Sequence, residues 1–148
     1  MMKEFLLETC EKGLNARLSR IQKTINDIET SLNSETKSTA GDKHETGRAM
    51  LQLEREKAGA QLKDLQRQQE VLGRIQIEIK SERVALGSLV ITNKASYFMS
   101  TSLGEIKFEN QIIYAISLQS PIGQLLMGKS VGDITNFRGV DIQIDKIL

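Results

Sequence analysis

The stretch "LNARLSRIQKTINDIETSL", Leu14 to Leu32, places Leu14, Leu18, Ile21, Ile25, Ile28 and Leu32 at alternating steps of four and three. Leu7 extends the pattern back by one heptad. Apolar side chains at that spacing form one stripe on a helix, the a/d seam of a coiled coil, and the stripe needs another helix to cover it. A second seam recurs every seven residues at Leu51, Ala58, Leu65, Leu72 and Ile79, with Leu62 in support. Gln69 and Gln76 interrupt its companion register, and Gly59 and Gly73 each weaken a helix by about 1 kcal/mol. The second helix is therefore expected to hold mainly through packing on the first. Two seams joined by a short polar connection read as an antiparallel helical hairpin, with arms on the order of 50 Å long at about 1.5 Å per residue.

The connection, "STAGDKHETGRA" from Ser38 to Ala49, concentrates two glycines, two carboxylates, a histidine and two basic side chains. Asp42 and Glu45 are three apart and share a face if the second helix begins near Gly41. The helix dipole favours acids in a first turn. The D-x-x-E spacing also matches a capping box with Asp as the cap, and spacing alone favours that reading over a metal site. Yet one or two carboxylates are what Mg²⁺ commonly takes from a protein. Both readings stay open on the residues. His44 is the sole histidine and reads as an exposed turn residue, since one His without partners is a poor metal site.

Composition divides the 148 residues near Arg83. Fifteen of the 20 Lys and Arg and 14 of the 19 Asp and Glu fall in residues 1–83, whereas all aromatics except Phe5 come later. The net charge of +1 gives no general electrostatic grip on nucleic acid. One cysteine, Cys10, allows neither an internal disulfide nor a Cys-rich zinc site, and it is expected to pack as a small apolar group. No apolar run approaches the roughly 18 residues of a membrane span, and the N-terminal apolar run is too short for a signal-peptide core. A soluble, cytoplasmic protein without membrane contact is expected.

Residues 84–148 carry strand signals instead. "SLVITN" is β-branched, "QIIYAIS" alternates, and "VDIQIDKIL" alternates through Val140, Ile142, Ile144 and, after one slip, Ile147. Between the last two lies "SPIGQLLMGK", in which Ser120 can cap a short helix, Pro121 fits its first position and Gly128 ends it. The expectation is an α+β chain with a coiled-coil hairpin over 1–83 and a small domain over 84–148.

Two motifs give these halves a family. "GDKHET", Gly41 to Thr46, resembles the G-D-x-x-E-N tip of the bacterial transcript cleavage factors GreA and GreB, and "ISLQSPIGQLLMGKSVGD", Ile116 to Asp133, resembles their C-terminal pattern. The resemblance covers essentially the whole chain. It implies an FKBP-like C-terminal domain that docks on RNA polymerase at its secondary channel, with Ser120, Pro121 and Ile122 facing the partner. The hairpin would carry Asp42 and Glu45 to the polymerase active site, where they help hold a second Mg²⁺ while the polymerase cleaves the 3′ end of backtracked RNA. On this reading the chain is an accessory factor, not an enzyme. It takes no small-molecule substrate and binds no metal tightly by itself. Arg48 and Arg55, seven apart on one face, would then approach RNA, or else are solvated coil charges.

The tip departs from the family pattern in Thr46, where the family has Asn, and Ala49, where it has Tyr. Lys43, His44 and Arg48 also surround the carboxylates, and nearby cations oppose Mg²⁺. A polymerase-bound regulator or inhibitor without cleavage activity is thus a second expectation. A prolyl isomerase is a third, suggested by the implied fold alone. A coiled-coil scaffold explains the hairpin but not the C-terminal string.

Overall fold

The computed structural model describes residues 2–37 and 42–148, with side chains for 2–34 and 46–148. Two long helices, α1 (Met2–Lys37) and α2 (Asp42–Gly73), precede β1 (Leu89–Thr92), β2 (Ser96–Ser100), β3 (Gly104–Phe108), β4 (Gln111–Ser117), α3 (Pro121–Leu126), β5 (Ile134–Phe137) and β6 (Val140–Ile147). The expected class is present: a long helical hairpin followed by a small mixed-sheet domain. By packing, the chain forms two compact units, Leu14–Gln68 and the discontinuous Met1–Gly13 with Gln69–Leu148.

In the Leu14–Gln68 unit the seam behaves as its spacing requires. Ile21, Ile25, Ile28 and Ala58 are buried together, with Leu32, Leu62 and Leu65 packed against them. Cross-helix contacts pair Glu29 with Arg55 and Leu32 with Arg48, so later residues of α1 meet earlier residues of α2. The helices are antiparallel.

Two seam positions read from the sequence are corrected. Leu7 is only half-buried, while Leu6 and Cys10 are fully buried. The first turns of α1 cover a sheet, and Leu6 and Cys10, four apart, replace the coiled-coil register there. Ile79 is not on a helical seam. The helix ends at Gly73, Arg74 N–H and Ile75 N–H donate to the carbonyls of Val71 and Leu72, and Ile79 is 62% exposed. Ile75, Ile77 and Ile79 alternate with polar residues through a turn closed by Ile79 N–H on the Gln76 carbonyl, and of the three only Ile75 is buried. It packs beside Gly87, whose φ of +87° suits glycine and where a Cβ would meet Ile75 Cγ2 at 3.1 Å.

The other unit is built on a six-stranded sheet of order β3-β4-β2-β1-β6-β5, in which β2 and β4 are parallel and the other neighbours antiparallel. Both faces are covered. On one, Val90, Met99, Ile144 and Ile147 form a core with Val84 and with Leu126 of α3. On the other, the register aligns Leu89, Phe98 and Ala115, and sets Ile113 opposite Ile106. The start of α1 lies over this second face: the rings of Phe5 and Phe108 are 5.0 Å apart, and Cys10 Sγ is 3.6 Å from Ser100 Oγ. Gly13 leaves room for Leu103, which a Cβ there would overlap.

Candidate functional site

Asp42 and Glu45 fall in the first turn of α2, and their side chains lie outside the described residues, as do those of Lys43 and His44. Gly41 lies outside them altogether. Among the described residues, no group of three or more His, Cys, Asp or Glu is placed to hold a metal ion. The pair that the sequence offers to Mg²⁺ at this junction is Asp42 and Glu45. Two oxygen donors suit that ion chemically but leave most of its coordination to be supplied from elsewhere.

Arg48 and Arg55 follow within α2, and both side chains turn toward α1. Arg48 Nη1 donates to the Leu32 carbonyl at 2.9 Å, and Arg55 Nε donates to Glu29 Oε1 at 3.1 Å. Each arginine is half-buried. Glu29 carries no such signal in the sequence, because a pair 26 residues apart is visible only once the antiparallel register is known.

Ser120, Pro121 and Ile122 open α3, where the sequence puts them. Ser120 is the N-cap: its hydroxyl accepts from Gly123 N–H at 3.1 Å and donates to the Ser117 carbonyl at 2.6 Å. Pro121 occupies the first helical position and is exposed, while Ile122 is half-buried against the core. Within this trio, Ser120 is committed to the fold, and Pro121 is the residue that a partner could reach directly. Exposed apolar groups follow along the chain at Met127 (37%), Val131 (58%) and Ile134 (63%). The sequence signal for them is faint, since apolar residues beside Gly128 and Gly132 read equally as core.

Two open grooves are lined without aromatics. One, of about 720 Å³, runs along the hairpin past Arg17, Arg20, Ile21, Lys57 and Leu65; the other, of about 910 Å³, passes Lys80, Ser130, Asp145 and Lys146. Neither has the aromatic lining that a proline-binding isomerase site would want. The tyrosines of the sheet, Tyr97 and Tyr114, instead face each other with centroids 6.2 Å apart and planes tilted by 37°. Among the described residues, no helix is long and apolar enough to cross a membrane.

No protein-family model matches the chain, and none of the curated proteins matches it. Among solved structures, one described as that of the transcription factor Gfh1 aligns with 93% of this chain and 92% of its own, at 21% identity and a TM-score of 0.37. Both values are low.

Proposed function

We propose that this chain is a Gre-like transcription factor that binds RNA polymerase and stimulates cleavage of backtracked nascent RNA by the polymerase's own active site. The observation that carries this reading is a joint one. The G-D-x-x-E motif falls at the junction of α1 and α2, and the "SPIG" motif caps a short helix in the sheet unit. A paired helical arm is a means of delivery, and the acidic motif at the start of α2 is what it would deliver. Asp42 and Glu45 would hold Mg²⁺ together with donors from the polymerase, and the ion would supply charge stabilisation for attack of water on a phosphodiester. The chain's own part is to present two ionised carboxylates and to dock through its sheet unit, with exposed Pro121 in the contact.

A second reading, docking without cleavage, is favoured by the residues at the tip. Lys43 and Arg48 flank the carboxylates, and Thr46 and Ala49 stand where the family has Asn and Tyr. One experiment separates the two. The protein is added to a purified, backtracked elongation complex, and the release of short 3′ RNA fragments is scored. Cleavage that is lost in Asp42→Asn and Glu45→Gln, with binding kept, is the expected result. Each loss removes a metal ligand in the transition state, an effect on the order of several kcal/mol. Neutral variants as active as the wild type would remove the catalytic role. A bound wild type that releases no fragments would favour the regulator.

A further inference from the structure

Arg48 and Arg55 lie on the line of α2 that faces α1, although the Arg55–Glu29 pair stays open to solvent, its side chains 37% and 52% exposed. Positions 48, 51, 55, 58, 62 and 65 of α2 alternate at steps of three and four, which puts both arginines in line with Leu51, Ala58, Leu62 and Leu65. Ala58 is buried against Ile21, Ile25 and Ile28, so this line is the inner seam. The outer side of the helix is marked by Met50 and Leu53, which are 62% and 67% exposed. The arginines occupy places where an apolar residue would ordinarily go, and their charged heads reach across to the Leu32 carbonyl and the Glu29 carboxylate.

A polar group at a seam position costs packing and specifies register. Apolar contact is non-directional, so a seam of leucines tolerates a slip by one turn. Guanidinium donors are directional: Arg48 meets the Leu32 carbonyl and Arg55 the Glu29 carboxylate, and a slip of one turn would part both pairs. The pull of both arginines falls between Ala58 and the turn, where this line of α2 offers only Leu51 as an apolar side chain.

We propose that Arg48 and Arg55 are positioning residues that fix the register of α1 against α2 near the turn, and thereby set where the acidic motif is presented. The consequence for the acidic motif rests on the function proposed above; the register does not.

The test uses the full chain with spin labels on Lys23→Cys and Ala49→Cys, both exposed and offset along the hairpin, while Cys10 is buried. One interhelix distance is expected for the parent. Arg48→Ala with Arg55→Ala should add a second population, displaced along the axis by about 5 Å, the rise of one helical turn. Fraying alone would broaden the distribution without a discrete second distance. Arg55→Glu should behave likewise, and the charge exchange Glu29→Arg with Arg55→Glu should restore the single distance. A single unshifted distance in the double alanine variant would overturn the proposal. On the polymerase, the exchanged pair should regain the parent's effect on transcript cleavage to within about threefold, since one turn of register is recovered. If the distance returns but the effect does not, the side chain at 55 acts through something other than register, and the positioning role fails for it. If the parent itself has no effect on polymerase, the proposed function fails, and the distances still decide the register.

Discussion

At Gly123 the chain leaves no room for a side chain: a Cβ would overlap the Ser117 carbonyl oxygen and lie 2.9 Å from Ser120 Oγ. The glycine lets the cap close on itself, so Ser120 serves Gly123 N–H and the Ser117 carbonyl together. Gly123→Ala should destabilise the sheet unit by about 1–3 kcal/mol through overpacking, and Ser120→Ala by about 1 kcal/mol through the lost cap. Urea unfolding measures both, and a neutral Gly123→Ala would mean that the strand-to-helix corner relaxes freely. The capping serine and the proline are legible in the sequence because they act on neighbours; the demand on Gly123 depends on how the chain folds back over it. Cys10 carries a different constraint. Burial pushes its thiol above the ordinary 9.0, outweighing the hydrogen bonds from Ser100 and Thr101 that pull it down. A raised folded value means that unfolding releases the proton more readily. The stability it contributes is complete below pH 9.0 and is lost as pH rises through the folded value. Tyr97, pushed above 10.0 by burial and then by Tyr114, acts in the same direction at higher pH. In stability measured across the alkaline range, the Cys10 contribution should fall away from about pH 9, against an opposing rise from Lys3, whose burial holds its ammonium below the ordinary 10.5. Cys10→Ala should delay the fall until Tyr97 begins to titrate. An unchanged onset in that variant would assign the fall to other groups.

Among the elements, the hairpin is where sequence and structure agree most closely, and Ile25 tests it. Its side chain is 2% exposed in the Ile21–Ile28–Ala58 cluster. Ile25→Asp would bury an unpaired carboxylate there, at a cost of about 3 kcal/mol or more. Circular dichroism should show lower helicity and an earlier melt, whereas a melt like the parent's would deny the paired seam. This seam is legible because a period of about 3.5, sustained over several turns, suits a paired helix and little else. The same period misleads at both ends. Leu7 follows the heptad, but α1 has there turned to cover a sheet, and Leu6 and Cys10 are the residues it buries. Ile79 follows it too, although Gly73 has already ended α2. Strands β2, β3 and β5 are not legible in the sequence, for physical reasons. In "SYFMS" the adjacent Phe98 and Met99 are both fully buried, so a strand covered on both faces shows no alternation. β3 and β5, of five and four residues, are edge strands too short to establish a period. The acidic motif is a statement of the sequence alone, since the side chains of Asp42 and Glu45 lie outside the described residues. The arginines beside it share one face, as their spacing requires, but which face could be learned only from α1.

For the whole molecule, the compact unit that holds the sheet is assembled from two separated stretches, Met1–Gly13 and Gln69–Leu148. The reason is the sheet's second face. Leu89, Phe98, Ile106, Ile113 and Ala115 are each at most 4% exposed, and the elements after β1 supply one helix, α3, which covers the opposite face. The cover comes from the start of the chain: Leu6 and Cys10 are fully buried, Phe5 meets Phe108, and Leu103 fills the space at Gly13. From the other side, Val84 N–H donates to the Lys129 carbonyl and Gly128 N–H to the Val84 carbonyl, tying the segment after α2 to the loop after α3. A domain of this size has little core to spare. Losing one fully buried leucine, in Leu6→Ala, should cost about 2–5 kcal/mol. A fragment of residues 84–148 loses the entire cover and would expose a contiguous apolar face of the kind that soluble domains avoid. That fragment should bind a hydrophobic dye, show poorly dispersed amide resonances and unfold without a sharp transition. The full chain carrying Ile25→Asp should keep dispersed resonances for Leu89 to Ile147, because its damage lies in the Leu14–Gln68 unit. A fragment that melted as sharply as the full chain would show that the sheet supports itself, and that the burial of Leu6 and Cys10 serves α1 alone.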